Sequence, residues 1–180
     1  IVWSLDGSTF GVIWYNELTS ASSVDIFDIQ TLQLVHQYDL ETGATLMDLS
    51  PDNRTVAVGK DQQTVELRDL SNGNVVRVLS PGGVVMGGTF SPDGNTFGSF
   101  SGEEWAVTLW DVVGGQTIKK LTGFETAAPV YNATLAGDGK TVIWHARATV
   151  QVQDIASGIM GQTFSHEDFV MGLDLSRDGK

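Results

Sequence analysis

Three histidines have the broadest chemical range in this sequence, since imidazole can bind metals and transfer protons near neutral pH. They are His36, His145 and His166, and no two lie two or four residues apart. A metal site needs several converging ligands. The chain has no Cys, which excludes disulfides, thiol catalysis and thiolate zinc sites. We therefore expect no metal and no cofactor, and we interpret His166 as a residue that braces a loop by hydrogen bonding.

Two further patterns resemble catalytic motifs without completing them. Gly139-Lys140-Thr141 resembles the end of a phosphate-binding loop, but that motif needs Gly at the position of Thr134 and a helix after it. We interpret this segment instead as a turn between two strands. Ser99 and Ser101 stand near glycines, but they do not form the Gly-x-Ser-x-Gly motif of hydrolases.

Adjacent carboxylates occur at Glu103-Glu104 and at Glu167-Asp168. Glycoside hydrolysis needs two carboxyl groups at a set separation across a cleft, which adjacency in the sequence does not supply. Charged side chains mostly stay solvated at the surface. We therefore assign these carboxylates to exposed loops and predict that the protein is not an enzyme.

The charge and the hydropathy of the chain exclude several classes of protein. Its 180 residues include 22 acidic and 10 basic side chains, for a net charge of -12. Such a surface repels phosphate backbones, so we expect no binding to nucleic acid. No run of about 18 apolar residues is present, so we expect no membrane span and a soluble protein. The compartment stays open, with the cytoplasm preferred. Because the sequence opens Ile1-Val2-Trp3 without Met, we expect residues to be missing before it.

The elements that position these residues repeat along the whole chain. An Asp-centred turn recurs at spacings of 46, 41, 45 and 40 residues. Its copies are Asp6-Gly7, Asp52-Asn53, Asp93-Gly94, Asp138-Gly139 and Asp178-Gly179. An alternating strand that ends in Asp recurs between these turns, with its final residue at Asp28, Asp69, Asp111 and Asp154. Two independent markers with one period indicate a repeat protein.

Each period predicts four short antiparallel strands. In the third period these are 84–91, 96–101, 105–111 and 117–122, separated by Asp-Gly and Gly-Gly turns. Val, Ile, Thr, Phe and Trp dominate between the turns, as is typical of strands. Four strands in about 40–45 residues is the size of a β-propeller blade. No long segment has a helical apolar period, so we expect an all-β protein.

The repeat resembles the WD-repeat family. Thr89-Phe90-Ser91-Pro92-Asp93-Gly94-Asn95 is similar to the first strand and turn of that family, and Val107-Thr108-Leu109-Trp110-Asp111 is similar to its Trp-Asp strand. Only Trp110 keeps the signature Trp; Phe27, Arg68 and Gln153 replace it in the other copies. The resemblance also implies a hydrogen-bonded network within a blade. In the third blade Ser101, Glu104 and Trp110 take three of its positions, and no His takes the fourth.

A second family offers an alternative interpretation of the turns. Ser4-Leu5-Asp6-Gly7-Ser8-Thr9-Phe10 and its copy at residues 91–97 are similar to the Asp-box of sialidase-like propellers. Both segments have one residue fewer between Asp and Thr than the Asp-box has. The Pro in the second copy is typical of WD repeats.

The period divides the chain into four blades and part of a fifth. The predicted repeats are 1–40, 41–80, 81–123, 124–165 and a partial one at 166–180, with an extra first strand at 169–176. A closed four-bladed ring has no place for that strand, so we expect a fragment of a larger, incomplete ring. An open ring exposes apolar blade faces, which predicts self-association through the open blades.

The expected function is a protein-interaction scaffold that presents loops on one face of the ring. The candidate loops are 16–22, 60–63, 80–83, 102–104, 123–128 and 165–168. Candidate partner-binding residues are Glu103, Glu104, Trp105, His166, Glu167 and Asp168. Their acidic character predicts a protein or peptide partner with a basic surface. Trp105 is either a core residue or an exposed anchor.

Two alternatives stay open. One is an enzyme or ligand-binding propeller with its site in the central channel, although the inner strands predict apolar or small residues there. The other is a sensor module fused to an effector domain. A fold by itself does not decide among them.

Overall fold

In the computed structural model the chain folds into sixteen strands with short turns between them. The structure describes residues 1–16, 22–40, 44–60, 63–101, 106–122, 130 and 132–173, and no helix occurs in these ranges. Four separate four-stranded antiparallel sheets form, each from strands that follow one another along the chain. This is the blade architecture of a β-propeller, as the period predicts.

The four sheets are named blades 1 to 4 in chain order. Blade 1 contains β1 (Val2–Trp3), β2 (Thr9–Tyr15), β3 (Ser22–Asp28) and β4 (Leu34–Leu40). Blade 2 contains β5 (Thr45–Leu49), β6 (Thr55–Lys60), β7 (Thr64–Asp69) and β8 (Val75–Leu79). Blade 3 contains β9 (Val85–Phe90), β10 (Thr96–Ser101), β11 (Ala106–Asp111) and β12 (Thr117–Leu121). Blade 4 contains β13 (Asn132–Leu135), β14 (Thr141–Ala146), β15 (Thr149–Asp154) and β16 (Met160–Ser165).

The blades follow one another as an arc, in sequence order. β1 packs against β5, β5 against β9, and β9 against β13. Within the described ranges no comparable contact joins β1 to β13. Three apolar clusters fill the spaces between adjacent blades. The hydrophobic core therefore consists of blade junctions, because each blade has two faces to bury.

In every blade the Asp-containing turns lie at the same end of the strands, here called the turn end. In each blade the turn between the first two strands is bonded to the turn between the last two. The backbone N–H groups of Ile29, Leu70, Val112 and Ile155 donate to the carbonyls of Ser8, Arg54, Asn95 and Lys140, at 2.7–3.0 Å. The opposite end, here called the loop end, carries the other connections. Both sequence markers therefore stabilise the same end of every blade.

The predicted first strand of a fifth blade does not form in its described part. Residues 169–173 are in no strand, and residues 174–176 lie outside the described ranges. A first strand pairs with the second strand of its own blade, and here that partner would follow the Asp178-Gly179 turn. The Val170 N–H donates instead to the Arg147 carbonyl at 2.8 Å. In the described part of the chain, no helix is long and apolar enough to cross a membrane.

Candidate interaction surfaces

Three aromatic side chains lie side by side across blade 1. Trp3 pairs with Phe10, and Phe10 pairs with Phe27, on neighbouring strands. The ring centroids are 5.4 Å apart in the first pair and 5.1 Å apart in the second, where the rings are stacked. Trp3 is 61% exposed, and the two Phe side chains are half-buried. We call these three residues the blade 1 triplet; it presents an aromatic surface to solvent.

Blade 3 carries an aromatic triplet at the same register. Phe90 pairs with Phe97, and Phe97 pairs with Trp110. These side chains are 5%, 0% and 6% exposed, and they pack in one cluster with Leu67 and Leu79 of blade 2. A preceding blade therefore covers the blade 3 triplet.

Trp110 bonds to a different serine from the one that the family resemblance implied. Its Nε1–H donates to the Ser99 hydroxyl at 2.9 Å, and both residues are buried. The expected Ser101 pairs with Ala106 at the far end of the strand. A displacement of two residues along a strand is about 6.8 Å. The Ser101 hydroxyl is therefore too far along the strand for the Trp110 indole N–H to reach it. The other expected member, Glu104, lies outside the described residues.

At the loop end, blade 1 differs from the other blades. Trp14 and Tyr15 end β2 and are 55% and 59% exposed. The register places Lys60, Ser101 and Ala146 at the position of Trp14 in the other three blades. Large aromatic side chains with a polar handle are typical of protein-binding anchors. The repeat does not require an aromatic residue here, so Trp14 is a candidate for function.

The predicted partner-binding residues divide into two groups. Glu103, Glu104 and Trp105 lie outside the described residues. His166, Glu167 and Asp168 are exposed in the connection that follows β16. The His166 N–H donates to the Ala148 carbonyl at 2.8 Å, which holds this connection against the turn between β14 and β15. The backbone, and not the imidazole, makes that bond.

The innermost strands carry a carboxylate that joins two blades. Asp48 of β5 accepts hydrogen bonds from the Thr89 hydroxyl at 3.0 Å and from the Phe90 N–H at 2.8 Å. A β-bulge between Leu46 and Asp48 accompanies this contact. The carboxylate therefore stabilises the junction of blades 2 and 3. Sequence reasoning missed this role because it depends on the neighbouring blade.

The carboxylates of the turn end act as caps for backbone N–H groups. Asp93 accepts bonds from the Ser91 hydroxyl at 2.6 Å and the Asn95 N–H at 3.0 Å, and these bonds lower its pKa. Asp6 is bonded to the Ser8 N–H, the Ser8 hydroxyl and the Ser4 hydroxyl, which hold its pKa well below the ordinary value. A general acid needs a pKa near the working pH. These carboxylates therefore suit turn stabilisation rather than proton transfer.

The segment that resembles a phosphate-binding loop, Gly139-Lys140-Thr141, belongs to one of these Asp-containing turns. Gly139 has a φ of +63° in the turn between β13 and β14. The Lys140 N–H donates to Asp138 Oδ1 at 2.8 Å, so a carboxylate occupies the position where a phosphate loop would bind its anion. No helix follows, and the interpretation as a turn between two strands is confirmed.

His145 is buried, with 1% of its surface exposed. Burial lowers its pKa, because desolvation disfavours the imidazolium. Among the described residues, no group of three or more His, Asp or Glu is placed to hold a metal ion.

Basic side chains of the outermost strands form contacts between blades that sequence reasoning missed. Arg77 of β8 donates from Nε to the Val113 carbonyl of blade 3 at 2.8 Å. Lys119 of β12 donates from Nζ to the Ala156 carbonyl of blade 4 at 2.5 Å. The matching position in β4 is His36, which lines a cavity of about 320 Å³ at the junction of blades 1 and 2. The spacings of 41 and 42 residues between these three positions could have revealed the pattern.

No family model matches the chain, and no curated protein matches it. Among solved structures the fold is common, with 1309 matching chains, so the fold alone names no function. One of them is hydrazine synthase of Kuenenia stuttgartiensis, with a TM-score of 0.78 and 21% sequence identity. The match covers 100% of this chain and 53% of that chain, so this chain spans about half its length. At this identity the likeness shows the β-propeller fold and carries no statement about activity.

Proposed function

We propose that this chain is a WD-repeat-like β-propeller module without a catalytic site, which binds a protein or peptide partner at its loop end. The single observation that carries the proposal is the exposure of Trp14 and Tyr15 beside the loop connections. Aromatic anchors contribute most of the binding free energy in many interfaces.

The charge of the chain favours a basic partner. With a net charge of -12, the protein attracts Lys- and Arg-rich segments over a distance set by ionic strength. Glu167 and Asp168 add exposed carboxylates at the loop end. A rigid blade scaffold limits the entropy lost on binding, because the strands that carry the anchors are already ordered.

The support for a binding role over a catalytic one comes from the carboxylates. The Asp48 carboxylate in the inner strands is bonded to Thr89 and Phe90, and Asp6 and Asp93 cap turns. These three carboxylates therefore already have structural partners.

A peptide-display selection tests this proposal. Random peptides are selected on the wild-type protein, and their affinities are then measured by titration calorimetry for wild type, Trp14→Ala and Tyr15→Ala. We expect the selected peptides to be rich in Lys and Arg and to bind each variant roughly tenfold more weakly. Ile118→Ala is the matched control, because Ile118 is as exposed as Trp14 but lies on an outer strand. Peptides that bind both aromatic variants as tightly as wild type would refute the loop-end site.

A further inference from the structure

Two of the blade junctions contain a basic side chain that crosses from one blade to the next. Arg77 of blade 2 donates to the Val113 carbonyl of blade 3 at 2.8 Å. Lys119 of blade 3 donates to the Ala156 carbonyl of blade 4 at 2.5 Å. Each acceptor lies two residues after the Asp that ends the third strand of its blade. The turn end of a blade junction therefore accommodates a cation at a defined position.

The junction of blades 1 and 2 has no such cation from the outermost strand. His36 holds the equivalent position, and its ring is stacked on that of Tyr38 with the centroids 6.2 Å apart. The Tyr38 hydroxyl makes the contact between the blades instead, since it donates to the Leu70 carbonyl. The Ser71 carbonyl, which is the acceptor position of this junction, receives no hydrogen bond from the described residues. The blades are thus held together here without using that carbonyl.

A cavity of about 320 Å³ lies where the cation is missing. Its lining consists of His36, Asn53, Arg54, Asp69, Leu70 and Ser71. Solvent reaches it, because Arg54 and Ser71 are exposed. Hydrogen bonds from the Ser71 hydroxyl and the Ser71 N–H lower the pKa of Asp69, so this carboxyl is ionised at neutral pH. The cavity therefore contains a carboxylate and a carbonyl, the two acceptors that a basic side chain needs.

The junction of blades 3 and 4 shows that these surroundings tolerate a cation. Hydrogen bonds from Ser157 lower the pKa of Asp154, and the positive charge of Lys119 lowers it further. Lys140 follows the Asp-Gly turn at the position that Arg54 holds in blade 2. A basic residue at that position therefore does not prevent a second cation from lying beside the carboxylate.

From these precedents we infer that the cavity between blades 1 and 2 binds the guanidinium group of an arginine side chain from a peptide partner. The guanidinium takes the place that Arg77 holds in the next junction, and it donates to the Ser71 carbonyl and to the Asp69 carboxylate. Its planar fork of donors suits two acceptors at once better than an ammonium does. The net charge of -12 attracts such a peptide. This site lies at the turn end, so the inference does not rest on the loop-end site.

An NMR titration of the ¹⁵N-labelled protein with two short peptides tests the inference. The first peptide is acetyl-Gly-Arg-Gly-amide, and the second has citrulline in place of Arg, which keeps the shape of the side chain and removes its charge. The Arg peptide should shift the amide signals of residues 36 and 69–71. The citrulline peptide should bind at least about tenfold more weakly, because it loses the charge-assisted hydrogen bonds.

His36→Arg is the most informative variant, because it supplies the cation from the chain itself, as Arg77 does in the next junction. It should weaken binding of the Arg peptide at least about tenfold without lowering the thermal midpoint. Asp69→Asn should also weaken binding. Gln37→Arg is the matched control, since it adds the same charge on the opposite face of β4. This control and Trp14→Ala should both stay within about twofold of the wild-type affinity, which separates this site from the loop-end site.

Three results would overturn the inference. The first is equal affinity for the arginine and citrulline peptides. The second is a set of shifted signals spread over the acidic surface rather than concentrated on the cavity residues. The third is a His36→Arg variant that remains folded and binds the Arg peptide as tightly as wild type does.

Discussion

Blades 1 and 3 carry aromatic triplets at the same register, but a neighbouring blade covers only the one in blade 3. Phe97 at the centre of the blade 3 triplet is fully buried, whereas Phe10 at the centre of the blade 1 triplet is half-buried. The two triplets therefore share their local structure and differ in what packs on them. This difference indicates that residue type and register determine the strand pairing. The adjacent blade determines how much each side chain contributes to the free energy of unfolding.

The largest expected difference is between Phe97→Ala and Phe10→Ala. Removing a fully buried Phe costs about 3–5 kcal/mol through lost transfer free energy and a cavity. We expect Phe10→Ala to cost less than half of that, because solvent already reaches the ring. Urea denaturation of dilute protein measures the free energy of unfolding of both variants. The slope of that free energy against urea concentration should match that of wild type, which shows that the same surface is exposed on unfolding.

Equal losses in the two variants would contradict the comparison. They would indicate that the blade 1 triplet is covered under the conditions of the measurement. Repeating the titration at a higher protein concentration distinguishes a second copy as the cover, because association makes the apparent stability depend on concentration.

A second comparison concerns the indole groups. Trp110→Phe removes the buried bond to Ser99 and leaves that hydroxyl without its donor, at a cost of about 1–3 kcal/mol. Trp3→Phe changes an exposed side chain and should stay within about 0.5 kcal/mol of wild type. A double-mutant cycle with Ser99→Ala isolates the hydrogen bond, and we expect a coupling free energy of about 1 kcal/mol. A coupling near zero would show that Trp110 acts by packing alone.

The strands and turns were predictable because local chemistry determines them. The predicted strands of the third period, 84–91, 96–101, 105–111 and 117–122, match the observed β9 to β12 within one residue at each described end. Alternation of apolar residues sets the faces, and the Asp-Gly turns set the register. The fold class was therefore available from the sequence.

The site features were less predictable because they depend on contacts between blades. Trp3 and Phe90 occupy equivalent positions, and no sequence pattern indicates that the first is exposed and the second buried. Ser99 could be identified as the partner of Trp110 only from the strand register, because the resemblance implied Ser101, two residues further along the strand. The strand expected at 169–176 does not form in its described part, residues 169–173, because the Val170 N–H bonds to the Arg147 carbonyl instead, a contact that the repeat does not predict.

A third comparison concerns two turns of blades 1 and 2 in which a larger residue replaces Gly. Leu32 has a φ of +55°, where the other blades have Gly73, Gly115 and Gly158. Its side chain is 72% exposed, so nothing offsets the strain of the left-handed conformation. We expect Leu32→Gly to raise the free energy of unfolding by about 0.5–1 kcal/mol.

Asn53→Gly is the matched variant, with the opposite expected sign. Asn53 has a φ of +56°, but Asn tolerates this conformation, and its Nδ2 donates to Asp6 of blade 1 at 2.9 Å. We expect its loss to lower the free energy of unfolding by about 0.5–1 kcal/mol. Thermal denaturation of both variants measures the signs. Stabilisation by both would show that the bond from Asn53 to Asp6 contributes nothing to the junction.

The smallest effect concerns the acid sensitivity of the turns in blades 1 and 3. Hydrogen bonds from Ser8 and Ser4 lower the pKa of Asp6, and bonds from Ser91 and Asn95 lower the pKa of Asp93, both from an ordinary value of 3.8. A folded-state pKa below the unfolded value means that the carboxylate stabilises the fold above about pH 4. That stabilisation is lost as the pH falls from there through the folded-state pKa.

Asp6→Asn and Asp93→Asn should therefore narrow the difference between the urea midpoints at pH 7 and pH 3. We expect the larger change for Asp6, because its pKa lies far below the ordinary value. Ser8→Ala keeps the Asp6 carboxylate and removes one hydroxyl donor, so its acid sensitivity should lie between those of wild type and Asp6→Asn. If all three variants lost stability in acid as wild type does, the turn carboxylates would not be the groups that titrate. The acid response would then be assigned to groups such as the buried His145, whose lowered pKa means that the unfolded state binds a proton more readily, so that stability falls as the pH drops below about 6.5.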